Sequence, residues 1–225
     1  MALLPKFAPK RIQQLAFPGV GLLFLGLFIK LSFNVFFDAQ DARLLQNWDD
    51  RILLWVGSHR LAILNPIGVD LTSLGSSTVV FLLVGIFIVI FAILRDWFAI
   101  IHLMGASIGA GLCTVAFKHL LERPRPLVIP KLVEATGFSF PSGHALVATA
   151  IYVTFAILSA QHFPRVKQRI VIYLLAITVS LLVGLSRVYL GVHYPTDVAS
   201  GMLLGGAWAF LGAAANLTLA RKFAR

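Results

Sequence analysis

The sequence predicts an all-α protein: a six-transmembrane-helix bundle with interfacial helices between the first two spans. Three observations predict it. Of 225 residues, 59% are hydrophobic and only 12% are charged, whereas a soluble domain carries about a quarter charged residues. Six stretches are apolar over lengths near the roughly 20 residues that a membrane helix needs. The basic residues, finally, gather at one set of span ends.

The first span, about 15–37, follows Lys6, Lys10 and Arg11. A basic start before an apolar run is also the pattern of a signal peptide. Here the run is long and no clear A-x-A cleavage site follows, so it reads as an uncleaved span. Next comes "DAQDARLLQNWDDRILLWVGSHR", in which Leu44, Leu45, Trp48, Ile52, Leu53 and Trp55 alternate with charges at helical spacing. That pattern predicts amphipathic helices at the membrane interface, with packing against the bundle as the alternative. The remaining spans, about 76–94, 97–117, 144–161, 169–186 and 197–219, are uniformly apolar, which favours helices over buried strands. Small-residue pairs inside them, Gly105/Gly109 and Gly201/Gly205, predict close helix packing. No linker divides the chain, so residues 1–225 read as a single domain. Cys113 is the only cysteine, which excludes an internal disulfide and a thiolate metal cluster.

Six spans put both termini on one side. If that side is cytoplasmic, it holds ten basic residues (Lys6, Lys10, Arg11, Arg95, Arg165, Lys167, Arg169, Arg221, Lys222 and Arg225) against one acid, Asp96. The other side holds eight of each sign, with Lys30 inside the first span. The positive-inside rule therefore sets the orientation. Topology accounts for the net charge of +10, and no nucleic-acid partner is needed to explain it.

Three clusters fall on the outer side: "KHLLERPRP" (Lys118 to Pro126), "PSGH" (Pro141 to His144) and "SRVYLGVHYPTD" (Ser186 to Asp197). An unpaired charge at mid-membrane costs roughly 2.5–3.5 kcal/mol even on the lenient insertion scale, and placement at span ends avoids most of it. Lys118, Arg125 and Arg187 supply three cations. Ser142 and Gly143 stand where span four should begin, and the free N–H groups and dipole of a helix start favour an anion. Gly143 lets a ligand come close to the backbone. Guanidinium groups suit bidentate contact with phosphate oxygens, and lysine adds a point charge. The inventory fits a phosphate group. His193 and Asp197 are one helical turn apart if span six begins near Tyr194, with Pro195 in its first turn. A carboxylate on one imidazole nitrogen leaves the other free to act as nucleophile. His144, from another helix, is placed to serve as general acid. Taken singly, each group has a plainer reading, as an interfacial histidine, a salt bridge between helix ends or a basic loop at headgroups. Together, on one side and complementary to one anion, they favour the site.

The pattern K-x6-R-P, P-S-G-H, S-R-x5-H-x3-D resembles the three-part signature of the type 2 phosphatidic acid phosphatase superfamily, with no departure at any motif position. The resemblance implies that Lys118, Arg125, Ser142, Gly143 and Arg187 bind phosphate. It also implies that His193 forms a phosphohistidine supported by Asp197, and that His144 acts as acid and later helps activate water. It implies no cofactor and no metal. The expected substrate is a lipid phosphate or diphosphate, of the phosphatidylglycerophosphate, undecaprenyl diphosphate or phosphatidic acid type, taken from membrane lipids at the outer face of a bacterial inner membrane. A phosphotransferase with the same chemistry ranks second, and a non-enzymatic carrier of anionic lipids third.

Overall fold

The computed structural model describes residues 10–222, which form eight α-helices and no strand. They are α1 (Lys10–Phe36), α2 (Ala39–Ser58), α3 (Asn65–Ser73), α4 (Ser77–Ile93), α5 (Trp97–Leu121), α6 (Gly143–Ala160), α7 (Val166–Tyr189) and α8 (Pro195–Lys222), with a single 3-10 turn at Ala62–Leu64 before α3. Lys6 and Arg225, counted above toward the basic side, lie outside the described residues.

Short polar caps divide the apolar runs. Asp38 accepts from the backbone N–H groups of Gln40 and Asp41 at the start of α2. Ser76 accepts from Val79 at α4, and Asp96 from Ala99 at α5. Each satisfies an N–H that the first helical turn would leave unpaired. Five helices, α1, α5, α6, α7 and α8, are long and apolar enough to cross a membrane. α4 is apolar but only 17 residues long. α2 and the Ala62–Ser73 stretch pass that test only as a pair, bent by 107°.

α6 is the hub. It packs against α5, α7 and α8, while α1 lies along α8. Nearly three-quarters of its apolar window is buried, against about a tenth for α1 (72% and 11%). One apolar cluster joins α4, α5 and α6 through Val84, Leu103, Ile151 and Phe155, with the Phe87 and Phe155 rings stacked at 3.9 Å. Outward faces carry large apolar side chains such as Phe81, Leu82, Leu112 and Leu175. A soluble fold could not leave that much apolar surface uncovered, so this is an integral membrane protein.

The α6–α8 contact depends on the small-residue pair Gly201/Gly205. A Cβ at Gly201 would stand 2.6 Å from the carbonyl oxygen of Ser142, and one at Gly205 would collide with the carbonyl oxygen of Leu146. The other pair divides: Gly109 lies under the Trp208 ring, but a Cβ on Gly105 would meet no described residue within 4 Å, so close packing does not require glycine there.

The helices run longer than the hydropathy pattern indicated. α5 extends to Leu121 and α7 to Tyr189, which puts Lys118 and Arg187 on last helical turns instead of in loops. Cations are favoured there by the negative end of the helix dipole. The connections between α5 and α6 and between α7 and α8 shrink to 122–142 and 190–194.

Gly205→Ala should lower thermal stability by several degrees, because backbone cannot yield as a side chain can. Gly85→Ala, where no described residue lies within 4 Å of the added Cβ, should be neutral or stabilising by up to about 1 kcal/mol. Melting curves of the two purified variants check the contrast.

Candidate active site

α5 and α7 end where α6 and α8 begin, and the loops between them close one site. The chain leaves α5 through Glu122, which takes left-handed backbone angles (φ 44°), into "RPRP". It leaves α7 through Gly191 (φ 75°). A Cβ on Gly191 would stand 2.8 Å from an Arg60 nitrogen and 3.0 Å from the Pro130 carbonyl oxygen, so conformation and space both select glycine. Pro195 then starts α8 at the position where its missing N–H costs nothing, and the backbone N–H of Ser142 donates to the carbonyl of Asp197 at 3.0 Å, tying the starts of α6 and α8 together.

His193 is 2% exposed. Its Nε2 lies 3.2 Å from Arg125 Nη1, and its Nδ1 lies 3.3 Å from Ser139 Oγ and 3.5 Å from Asp197 Oδ2. Arginine has no acceptor, so a hydrogen bond there requires the Nε2 lone pair. The proton then sits on Nδ1, facing Ser139 and the carboxylate. The Asp197 contact is long for a hydrogen bond. Ser139 stands beside it, its hydroxyl donating to Asp197 Oδ2. Burial holds the His193 imidazole at about 4, below the ordinary histidine range; Asp197 works to raise it, and Arg125 and Arg187 to lower it.

The cations divide their donors. Arg125 is anchored on the carbonyl groups of Val192 (2.7 Å), Thr136 (2.8 Å) and Gly137 (3.0 Å). Arg187 donates from Nη1 to Thr72 Oγ1 at 2.8 Å, and its buried Nε finds no partner among the described residues. Ser142 caps α6 by position, yet its buried hydroxyl also has no partner among the described residues. Lys118 lies within electrostatic reach of Arg125, Arg187 and Asp197. His144, half-buried, lies within reach of Arg187, His193, Lys118 and Arg125. Gly143 fits tightly: a Cβ would meet Thr114 of α5 at 2.8 Å, so helix packing alone already requires glycine there.

All eight residues singled out from the sequence therefore meet at one end of the bundle. Four others were missed. Arg123, 7% exposed, donates to Asp49 Oδ2 (2.8 Å), Gln46 Oε1 (2.8 Å), Asp197 Oδ1 (2.6 Å) and Thr196 Oγ1 (2.7 Å), with its guanidinium 4.1 Å from the Tyr194 ring centroid. Asp49, Ser139 and Thr72 complete the set. The doubled arginine of "RPRP" was a usable signal for Arg123. Nothing local marked Asp49 or Thr72, which reach the site because α2 packs against α7 and α8 and α3 against α7.

A helical membrane protein with histidines, cations and a helix start converging at one surface is the class that fold and site define. Residues 99–220 match the PAP2 superfamily, and the chain belongs to it. Phosphatidylglycerophosphatase B of Bacillus subtilis is 35% identical over 179 residues, covering 78% of this chain and 86% of that one. An undecaprenyl-diphosphatase of Sulfolobus acidocaldarius is 40% identical over 88 residues, 39% of this chain and 37% of that one. The crystal structure of a PAP2-type phosphatidylglycerolphosphate phosphatase from Bacillus subtilis superposes with a TM-score of 0.77 at 29% identity, over 91% of this chain and 97% of that one. The protein is a lipid phosphatase.

Arg123→Met should cost about 3–5 kcal/mol, the range for stripping a buried ion pair of one partner, because Asp49 and Asp197 would lose their shared cation. Thermal melts in detergent read it. A second expectation concerns pH. An unfolded histidine titrates near 6.5, whereas His193 stays neutral to about 4. The unfolded chain thus binds the extra proton, and stability should fall as pH drops from about 7 toward 4 and be flat above. The slope should shrink in His193→Asn, which melts across that range would show.

Proposed function

We propose that the protein hydrolyses a lipid phosphate or diphosphate without a metal, through a phosphohistidine on His193. The observation that carries this reading is the pair of buried, unpartnered polar groups, Arg187 Nε and Ser142 Oγ, flanking the histidines. Leaving such groups unsatisfied costs about 1–3 kcal/mol each, and a phosphoryl oxygen is an acceptor that suits both. Lys118, Arg125, the Gly143 N–H and the dipole of α6 add donors and charge around the same anion.

His193 Nε2 attacks phosphorus as Arg125 transfers its donor to a phosphoryl oxygen. The bond to the lipid oxygen breaks, and His144 protonates that oxygen. Asp197, assisted by Ser139, holds the Nδ1 proton and stabilises the positive imidazole in the phosphoenzyme. His144, now neutral, takes a proton from water, which attacks phosphorus and frees His193. Two displacements replace one very slow hydrolysis, and the fixed cations stabilise the charge of each transition state.

Six spans, with α4 as the second and the bent α2–α3 pair outside the count, place both termini on the more basic side. The site then faces the periplasm or cell exterior at headgroup level, with the chain acting as one domain in a bacterial inner membrane. Phosphatidylglycerophosphate and undecaprenyl diphosphate, for which the relatives above are named, and phosphatidic acid are the substrates to test first.

Phosphate release by detergent-solubilised protein should persist in EDTA and fall at least about 10³-fold in His193→Ala, in line with loss of a nucleophile. Millimolar vanadate should inhibit. Loss of activity in EDTA, or an active His193→Ala, would overturn the mechanism. A second phosphorylated lipid in place of free phosphate would identify a transferase. For kcat/KM, the requirement for neutral His193 predicts an acid limb as pH falls through about 4, because kcat/KM reports the free enzyme; a limb at 6.5 would reject that assignment.

A further inference from the structure

Asp49 belongs to no motif. It sits on α2, 148 positions before Asp197, and is 1% exposed. One carboxylate oxygen, Oδ1, accepts from the backbone N–H of Thr196 at 3.0 Å, in the first turn of α8. The other accepts from Thr196 Oγ1 and, at 2.8 Å, from Arg123 Nη2. A distant helix thus supplies the N-terminal cap of α8, in the turn that carries Asp197. Arg123 Nη1 meanwhile holds Asp197 Oδ1 at 2.6 Å, leaving Oδ2 for Ser139, for the N–H of Tyr194 (2.9 Å) and for the His193 ring.

We propose that Asp49 is a positioning residue for the phosphoryl transfer, acting on Asp197 through Arg123 and Thr196. Two effects follow from the geometry. The cap and the guanidinium together fix the Asp197 carboxylate so that Oδ2 faces His193 Nδ1. The charge balance matters as much. One cation shared by two carboxylates leaves the trio at −1, so Asp197 keeps a net attraction for the imidazole as it becomes positive. Without the Asp49 charge, Arg123 neutralises Asp197 alone, and that attraction weakens in a buried site where such terms are large. The hydrogen bonds and ion pair of Asp49 go to Arg123 and Thr196 and not to the phosphate-binding groups or the ring, so its removal should act on the chemical step and not on binding. This inference rests on His193 being the nucleophile and Asp197 its partner.

The test uses the full-length protein in detergent and short-chain phosphatidic acid as probe, comparing wild type, Asp49→Asn, Thr196→Val and His193→Ala. Asp49→Asn keeps shape and an acceptor for the Thr196 N–H but removes the charge. Its kcat should fall by about 10- to 100-fold, the range for losing an outer partner of a site residue, with KM within about twofold. Thr196→Val keeps both carboxylates, the direct Asp49–Arg123 ion pair and the volume, but removes the hydroxyl that also bridges Asp49 and Arg123; its kcat should fall severalfold at constant KM. It decides the matter if Asp49→Asn does not fold. A folded Asp49→Asn with wild-type kcat, or with a raised KM at unchanged kcat, overturns the proposal, as does a wild-type kcat in Thr196→Val when Asp49→Asn is lost. His193→Ala separates the two failures. If it is inactive while Asp49→Asn is normal, only the positioning role fails; if it is active, the mechanism beneath it fails first.

Discussion

One guanidinium between two buried carboxylates sets much of what this structure can do. Burying Asp49 and Asp197 without a cation would be prohibitive, and burying Arg123 without acceptors equally so. Each of the three is acceptable only because the others are in place. The cluster ties α2, the chain after α5 and the start of α8 to one point. It gives the α2–α3 segment a reason to fold back over the bundle instead of lying apart from it. Thr72 of α3 makes the matching contact on the other side, to Arg187, so the bent pair holds one buried cation and one carboxylate network at once.

The second constraint is the membrane. Within the apolar spans every backbone polar group must be satisfied internally, and charged side chains are confined to ends or to paired interiors. Antiparallel packing of α5 through α8 gathers two helix ends and two helix starts on one surface. Ends favour cations and starts favour anions, so Lys118 and Arg187 fall on last turns while the α6 start faces the same space. Arg125 occupies the loop between and is held by three backbone carbonyls, a use of arginine that a lysine with its single ammonium could not copy. The small residues of α8 let it approach the α6 backbone, and that closeness brings Ser142 and Asp197 into hydrogen-bond contact.

The all-helical membrane architecture was legible because hydropathy is a sum over many residues, and errors at single positions do not change it. Span centres followed for the same reason. Ends did not: hydropathy stops counting at the first charge, whereas the backbone hydrogen-bond ladder continues through Lys118 and Arg187. Membership of the family was legible because three short motifs hold chemistry-bearing residues at set spacings, and the structure brings all eight of those residues together. Gly105 and Gly109 look alike in sequence, yet only at the second would a Cβ meet a described residue within 4 Å; spacing alone carries no information about which face is covered.

By itself, then, the sequence determined the fold class, the family and the inventory of charged and nucleophilic groups, because periodicity, hydropathy and motif spacing are local properties of the chain. Tertiary structure alone decided how those groups are satisfied. It assigned the Nε2 lone pair of His193 through Arg125, inserted Ser139 beside the Asp197 contact, and recruited Asp49 and Thr72 from helices far away in sequence. Which partner a buried donor finds depends on positions in space that no local pattern encodes, and in a low-dielectric interior that choice carries most of the electrostatic energy.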